Sequence, residues 1–323
     1  MYKIFIDGEH GTTGLKIRER LLQRKDLQLL SLPSRERHNI HYREDLLNTA
    51  DIAILCLPDS ASLETIQLIK KNGTNNRIID TSTAHRVAQG WVYGFPEMEP
   101  SQKEKIRSAH YISNPGCYAT GAIAILRPLR KAKIIPEKYP ITINAISGYT
   151  GGGKKLISRM EKKNMVDSIS SNHFFYSLDL LHKHLPEITK YSLIKKNPIF
   201  LPSVGRFPQG IVVQIPFDTE QLARKTNLKE IHNIFHEYYA GGNTVSVIPL
   251  EESSKMETID CEMMVGNDRM KLFFFGSSQL PYINIIAVLD NLGKGASGAA
   301  IQNMDLLLSQ KTHKNTNHCI KNT

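Results

Sequence analysis

The chain is poor in the residues that would staple a small or exported fold. Its 323 residues include only four cysteines, Cys56, Cys117, Cys261 and Cys319, widely spaced and without a CxxC pair. That spacing excludes a zinc ribbon and a disulfide framework, and it suits a reducing cytoplasm. Long apolar runs are also lacking, since nothing approaches the ~20 residues that span a bilayer. The start, MYKIFIDG, enters a strand pattern directly, without the apolar segment and small-residue cleavage site of an exported chain. A cytoplasmic protein with no membrane partner and no metal is expected. The formal net charge is +10, and removing residues 309–323, which carry three lysines and no acid, leaves +7. The basic residues are scattered and match no nucleic-acid-binding motif, so the surplus fits an enzyme with anionic ligands rather than a nucleic-acid partner.

What is present is a globular composition, 41% hydrophobic and 22% charged, long enough for two domains at roughly 150 residues each. Residues 1–115 alternate strands at 3–8, 27–33, 51–58 (DIAILCLP) and 77–82 with helices at 13–24 and 59–71. Such alternation predicts a right-handed parallel α/β sheet. Strand patterns follow at 140–147, 198–217, 263–275 and 281–289, with helices at 179–189, limited by Pro186, and 219–239, the pattern of an α+β domain. Residues 295–308, small and then leucine-rich, read as a helix that returns to the first domain. The expected layout is residues 1–116 plus 293–309 as a nucleotide-binding domain, 117–292 as an inserted catalytic domain, and 310–323 as a disordered tail.

Several stretches carry chemistry. GEHGTTG follows the first strand and opens a helix, so that Gly8, Gly11, Thr12, Thr13 and Gly14 can bring backbone and helix amides to a pyrophosphate. The spacing is GxxGxxG rather than GxGxxG, and a plain structural turn is the other reading. The second strand ends Leu-Pro-Ser-Arg, without the acid that binds an NAD ribose. Ser34 and Arg35 could hold a 2′-phosphate instead, which favours NADP; the alternative is a solvated loop running on into Arg37 and His38. In SNPGCYATG the Pro-Gly turn sets Cys117 before an apolar helical run at 119–129. A helix dipole and free amides favour a thiolate and can stabilise an oxyanion. Residue chemistry alone leaves Cys117 open between a nucleophile and a small core side chain, which is how Cys56 reads. His184, with His182 and Glu187 nearby, is a proton-transfer partner or part of a charged surface helix. SGYTGGGKK (147–155) nearly matches a P-loop, but Lys155 stands where the magnesium-binding Ser or Thr belongs. It reads as a flexible loop whose amides and lysines meet a substrate anion, or as a plain glycine bend.

GEHGTTG, DTSTAHR (80–86), NPGCYATG (114–121), SGYTGGGK (147–154), HKHLPE (182–187) and LPSVGRFPQG (201–210) occur in this order. Together they make the chain, up to about residue 309, resemble the short-chain (type 2) N-acetyl-gamma-glutamyl-phosphate reductases. NPGCYATG and HKHLPE are the specific motifs. The resemblance implies a semialdehyde-dehydrogenase-like fold, an α/β Rossmann-type NADP-binding domain with an inserted α+β substrate and dimerisation domain. It implies NADPH-dependent reduction of N-acetyl-gamma-glutamyl phosphate to N-acetylglutamate semialdehyde plus phosphate, in arginine biosynthesis, through a thioester on Cys117 with His184 as general acid/base. Cofactor contacts are expected from Gly8, Gly11, Thr12, Thr13, Gly14, Ser34 and Arg35, and from Asn291, Gly293 and Asn303 of the C-terminal segment. Substrate contacts are expected from Arg86, Asn114, Ser147, Gly148, Lys154, Glu187 and Arg206, and a homo-oligomer, dimer or tetramer, is implied. An aspartate-semialdehyde dehydrogenase is the nearest rival, but it normally carries Asn before its cysteine, where Gly116 stands here. A non-catalytic NADP-binding regulator would have no use for Cys117 and His184 together.

Overall fold

The structure is a computed structural model that describes residues 1–36, 39–73, 75–162, 166–277 and 279–316, with the side chains of Ser34 and of 310–316 outside the description. Arg37, His38 and Cys319 therefore lie outside the described residues. The chain divides into two compact units, Met1–Pro115 with Ala296–Thr323, and Gly116–Gly295. Among the described residues no helix is long and apolar enough to cross a membrane, and no group of three or more His, Cys, Asp or Glu is placed to hold a metal.

The first unit runs β1 (Tyr2–Asp7), α1 (Thr12–Leu21), β2 (Leu27–Leu30), α2 (Ile40–Thr49), β3 (Ile52–Leu55), α3 (Asp59–Asn72), β4 (Arg77–Asp80), β5 (Val92–Tyr93), α4 (Gln102–Ser108) and β6 (Tyr111–Ser113). Its six strands lie in the order β2-β1-β3-β4-β6-β5, and every pairing is parallel. A parallel sheet is covered on both faces, which is why all four residues of β3 are apolar and buried. From β1 the chain steps to β2 on one side and then to β3 on the other. The ends of β1 and β3 are thus the switch point where α/β sheets take ligands. The short helix α2 has no counterpart in the sequence reading. It is started by Asn39, whose side chain accepts the N–H groups of His41 and Tyr42 at 3.1 and 3.2 Å.

The second unit runs α5 (Cys117–Lys131), β7 (Thr142–Gly148), α6 (Gly153–Glu161), β8 (His173–Phe175), α7 (Leu185–Tyr191), β9 (Ile199–Gly205), β10 (Ile211–Asp218), α8 (Leu228–Tyr238), β11 (Val245–Val247), α9 (Leu250–Ser253), β12 (Met270–Gly276) and β13 (Tyr282–Leu289). Its strands form one mixed sheet in the order β11-β12-β13-β10-β7-β9-β8. The helix α5 is buried from Tyr118 to Leu129 and packs on β10 and β13. Gly121 permits the close approach, because a Cβ there would stand 2.9 Å from Val213 Cγ2. The last helix, α10 (Gly298–Thr316), belongs to the first unit, where Ala300, Met304 and Leu307 join Ile4, Ile6, Ile17 and Ile54 in one core. It runs into the segment read as a disordered tail; residues 317–323 of that tail lie outside the described residues.

Two helices depart from the expected bounds. The one expected at 219–239 starts only at Leu228, because Asn227 caps it by accepting the Glu230 N–H at 2.9 Å. The one expected at 179–189 starts at Leu185 and carries Pro186 in its first turn. Proline has no N–H to lose there, so it opens this helix instead of closing it.

Candidate active site

In the first unit the turn after β1 is shaped by absent side chains. Gly8 has φ +87°, and a Cβ on it would sit 2.4 Å from the Cys56 carbonyl oxygen at the end of β3. A Cβ on Gly14 would sit 2.3 Å from the Gly8 carbonyl oxygen. Gly11 is the extended residue before α1 and provides no side-chain cap, which leaves the first amides of the helix for a ligand. The Thr12 hydroxyl is buried among them without a hydrogen-bond partner. A cavity of about 370 Å³ opens here, lined by Gly8, Glu9, Gly11, Leu32, Arg43 and Cys56 among others. Bare amides, an orphaned hydroxyl and glycines that admit close approach fit the pyrophosphate of a dinucleotide. Two groups lining the cavity are shifted: burial pushes the Asp7 carboxyl up against the opposing pull of Arg43, and burial pushes the Cys56 thiol up to about 12. Arg35 is 86% exposed, with Nε 3.9 Å from Glu36 Oε1.

In the second unit Cys117 is the first residue of α5. Gly116 is extended and lends no side-chain cap, and its N–H donates to Glu187 Oε2 at 3.1 Å. Glu187 is 1% exposed, and its other oxygen lies 4.0 Å from His184 Nε2. One carboxylate therefore faces both the turn that presents the thiol and the imidazole. His184 directly precedes α7 and is buried, as is His182, so neither lies on the exposed helix surface that the sequence alone allowed. The His184 N–H donates to His182 Nδ1 at 3.0 Å, which leaves Nε2 of His182 to carry the proton, 3.0 Å from the Tyr176 hydroxyl. The Tyr118 hydroxyl donates to the Ser203 carbonyl at 2.9 Å. Burial raises the Tyr118 phenol well above its usual range, with Tyr176 and Cys117 adding to the effect; burial also raises Tyr176. Both phenols stay protonated beside the thiol.

The far wall is built by the return of the chain from β13. A Cβ on Gly295 would stand 2.8 Å from Cys117 Cβ, so only glycine lets the backbone lie against the nucleophile. Asp290, fully buried, holds this return by accepting from Gln209 Nε2 at 2.9 Å, the Gly266 N–H at 2.8 Å and the Leu292 N–H at 2.9 Å. Neither Asp290 nor Tyr176 was among the residues singled out from the sequence. An acid closing a strand just before Asn-Leu-Gly-Lys-Gly was the available signal for Asp290; Tyr176 sits in an irregular loop with none.

Other expected contacts are placed differently. Asn291, expected at the cofactor, lies in the second unit, where Nδ2 donates to Thr150 Oγ1 at 3.0 Å and Oδ1 accepts the Gly210 N–H at 2.8 Å. Gly293 is there because a Cβ would meet the Asn267 carbonyl at 2.5 Å. Asn303 is in the first unit but has no exposed surface, and Nδ2 donates to the Gly94 carbonyl at 3.0 Å and to Asn114 Oδ1 at 3.2 Å. Asn114 in turn donates to the Ala296 carbonyl at 2.9 Å, and Arg86 Nε donates to the Asn114 carbonyl at 3.0 Å. Arg206, expected at the substrate, donates to the Ser171, Met160 and Ile169 carbonyls. The stretch read as a flexible loop at 147–155 is ordered: Ser147 and Gly148 end β7, a short turn follows, and Lys154 is exposed in the first turn of α6. Gly148 is pressed against the 206–210 loop, since a Cβ would lie 2.6 Å from the Pro208 carbonyl.

Residues 3–106 match the family model described as semialdehyde dehydrogenase, NAD binding domain, and residues 117–291 match semialdehyde dehydrogenase, dimerisation domain. The chain is 56% identical over 307 residues to the N-acetyl-gamma-glutamyl-phosphate reductase of Rhizobium meliloti (strain 1021), covering 95% of this chain and 99% of that one. It is 57% identical, with the same coverage, to the enzyme of that name from Sinorhizobium fredii (strain NBRC 101917 / NGR234). Among solved structures, a probable aspartate-semialdehyde dehydrogenase from Pseudomonas aeruginosa shares the fold, with a TM-score of 0.71 at 13% identity over 95% of this chain and 98% of that one.

Proposed function

Because this chain belongs to the N-acetyl-gamma-glutamyl-phosphate reductases, within the semialdehyde dehydrogenase family, we propose that it reduces N-acetyl-gamma-glutamyl phosphate with NADPH, giving N-acetyl-L-glutamate 5-semialdehyde and phosphate, a step of arginine biosynthesis. The observation that carries the mechanism is the placement of Cys117 at the head of α5, with the preceding amide tied to Glu187 and Glu187 facing His184.

Cys117 Sγ attacks the acyl carbonyl carbon. The carbon–oxygen bond to phosphate breaks, phosphate leaves with the electron pair, and a thioester remains on Cys117. A dinucleotide held by the first unit would supply the hydride that reduces this thioester. The carbon–sulfur bond then breaks, the aldehyde leaves and the Cys117 thiolate returns. The open amides at the head of α5 stabilise the oxyanion of each step. His184 takes the thiol proton as attack begins and shares it with the oxygen of the reduced adduct. Glu187 orients His184, and His182 holds its backbone.

The residues that would hold the dinucleotide are Gly8, Gly11, Thr12, Thr13 and Gly14 at the pyrophosphate, with Ser34 and Arg35 at the 2′-phosphate. Ser147, Gly148 and Lys154 remain the proposed contacts to substrate anions, Lys154 by its exposed ammonium. The match to a dimerisation domain supports a homo-oligomer, a dimer or tetramer, and thiol chemistry on Cys117 suits the reducing cytoplasm. The test is the reverse reaction. Purified protein with NADP⁺, inorganic phosphate and N-acetylglutamate semialdehyde gives reduced nicotinamide, read by absorbance. Turnover of aspartate semialdehyde in place of the acetylated substrate would overturn the substrate assignment.

A further inference from the structure

Glu9 and Arg18 take no part in the scheme above. Glu9 lies in the turn between β1 and α1 and is only 6% exposed. Its Oε2 lies 2.9 Å from Arg18 Nε and accepts the Ser31 hydroxyl at 3.3 Å. Ser31 is the first residue beyond β2. The strands β1 and β2 pair in parallel from Tyr2↔Leu27 to Phe5↔Leu30, so the two turns that follow them leave the same edge of the sheet. The Glu9 carboxylate therefore bridges the phosphate turn and the end of β2, the place where a dinucleotide fold reads its adenosine ribose. The cavity at this edge is lined by Glu9 and by Leu32, one residue beyond Ser31.

An acid at that place would by itself favour ribose hydroxyls and repel a phosphate. Here its charge is matched by Arg18, whose side chain keeps 37% of its surface exposed and has no second partner among the described residues. A guanidinium has five N–H donors, and Glu9 engages it at Nε, leaving the terminal nitrogens for an anion. A fork held in place by a buried carboxylate loses little freedom when it binds phosphate. Arg35 has no comparable support, being 86% exposed with its nearest acid 3.9 Å away.

We propose that Arg18, oriented by the buried Glu9, is the principal residue that reads the 2′-phosphate of the dinucleotide, with Arg35 in a lesser role. The assignment rests on the NADPH reading above. Calorimetric titration of the full chain with 2′,5′-ADP and with 5′-AMP tests it without turnover. The wild type binds 2′,5′-ADP more tightly. Arg18→Met weakens 2′,5′-ADP by about 10- to 100-fold, the worth of a hydrogen-bonded charge, and shifts 5′-AMP little. Arg18→Met leaves the Glu9 carboxylate buried without its cation, so Glu9→Gln/Arg18→Met is measured beside it and shows the same loss of selectivity. Arg35→Ala shows a smaller loss. A wild-type ratio of the two affinities in the double variant, or a larger loss in Arg35→Ala, overturns the assignment while leaving the NADPH reading intact. A wild type that does not distinguish the two nucleotides overturns the NADPH reading itself, and this assignment with it.

Discussion

The turn between β1 and α1 works by what its residues leave out. Gly8 and Gly14 have no Cβ because a carbonyl oxygen occupies the space, and backbone amides and the Thr12 hydroxyl are left there for a ligand. The pocket around Cys117 works by what its side chains add. Glu187 links the Gly116 amide to His184, His182 links His184 to Tyr176, and the Tyr118 hydroxyl is fixed on Ser203. A ligand that comes and goes needs donors left open, whereas a nucleophile that must point one way needs neighbours that are already satisfied. In the first unit, then, a substitution disturbs shape, binding and stability together. In the second, the reacting side chain can be exchanged while its surroundings stay in place.

The largest effect expected is at Cys117. Cys117→Ser is nearly isosteric and should melt like the wild type, yet a serine hydroxyl is scarcely ionised at neutral pH. Turnover should fall on the order of 10⁴-fold or more, read as kcat beside a thermal melt. A melting temperature that falls along with the rate would erase the contrast between the two regions. His184→Asn should lose less, ~10²–10⁴-fold, the range for a positioned acid/base. Gly14→Ala should combine two losses, a lower melting temperature and weaker dinucleotide binding, because its Cβ would lie 2.3 Å from the Gly8 carbonyl; normal binding would show that the turn yields more than its contacts suggest. The smallest effect is expected at Cys56. Burial holds its thiol up at about 12, so it stays protonated and unreactive at neutral pH, and Cys56→Ser should cost roughly 1–3 kcal/mol of stability with kcat unchanged. Iodoacetamide followed by mass spectrometry gives an independent reading, with Cys117 modified in step with inactivation and Cys56 and Cys261 lagging.

The order of elements in the first unit was legible because buried parallel strands announce themselves as apolar runs such as DIAILCLP, and the parallel sheet appears as expected. The short strands β5 and β6 and the polar helix α2 were not, since two or three residues carry no periodicity and α2 buries only Leu47. Cys117 could be placed at a helix start from Pro115 and Gly116 alone. His184 could not be placed so well. Its neighbourhood depends on Pro186 opening α7 and on the bond from His182 to Tyr176, six residues before His182 across an irregular loop. Long polar side chains were the least legible. Arg206, Asn291 and Asn303 sit in motifs that invite a ligand-binding reading, yet each is turned toward backbone carbonyls or amides of its own unit. Sequence shows that such a side chain has donors, and only the fold shows where they are spent.

The unpartnered Thr12 hydroxyl also has a thermodynamic consequence for the chain as a whole. A buried polar group without a protein partner costs about 1–3 kcal/mol, and a dinucleotide that hydrogen-bonds the Thr12 hydroxyl would recover it. Cofactor binding is thereby linked to folding. By mass action alone a ligand at a hundred times its dissociation constant stabilises the native state by about 2.7 kcal/mol. Thr12→Val, which exchanges the hydroxyl for a methyl of similar size, should raise the melting temperature of the free protein and shrink the further rise that NADP⁺ brings. Cellular cofactor supply would then set how much of this enzyme survives, as well as how fast it turns over.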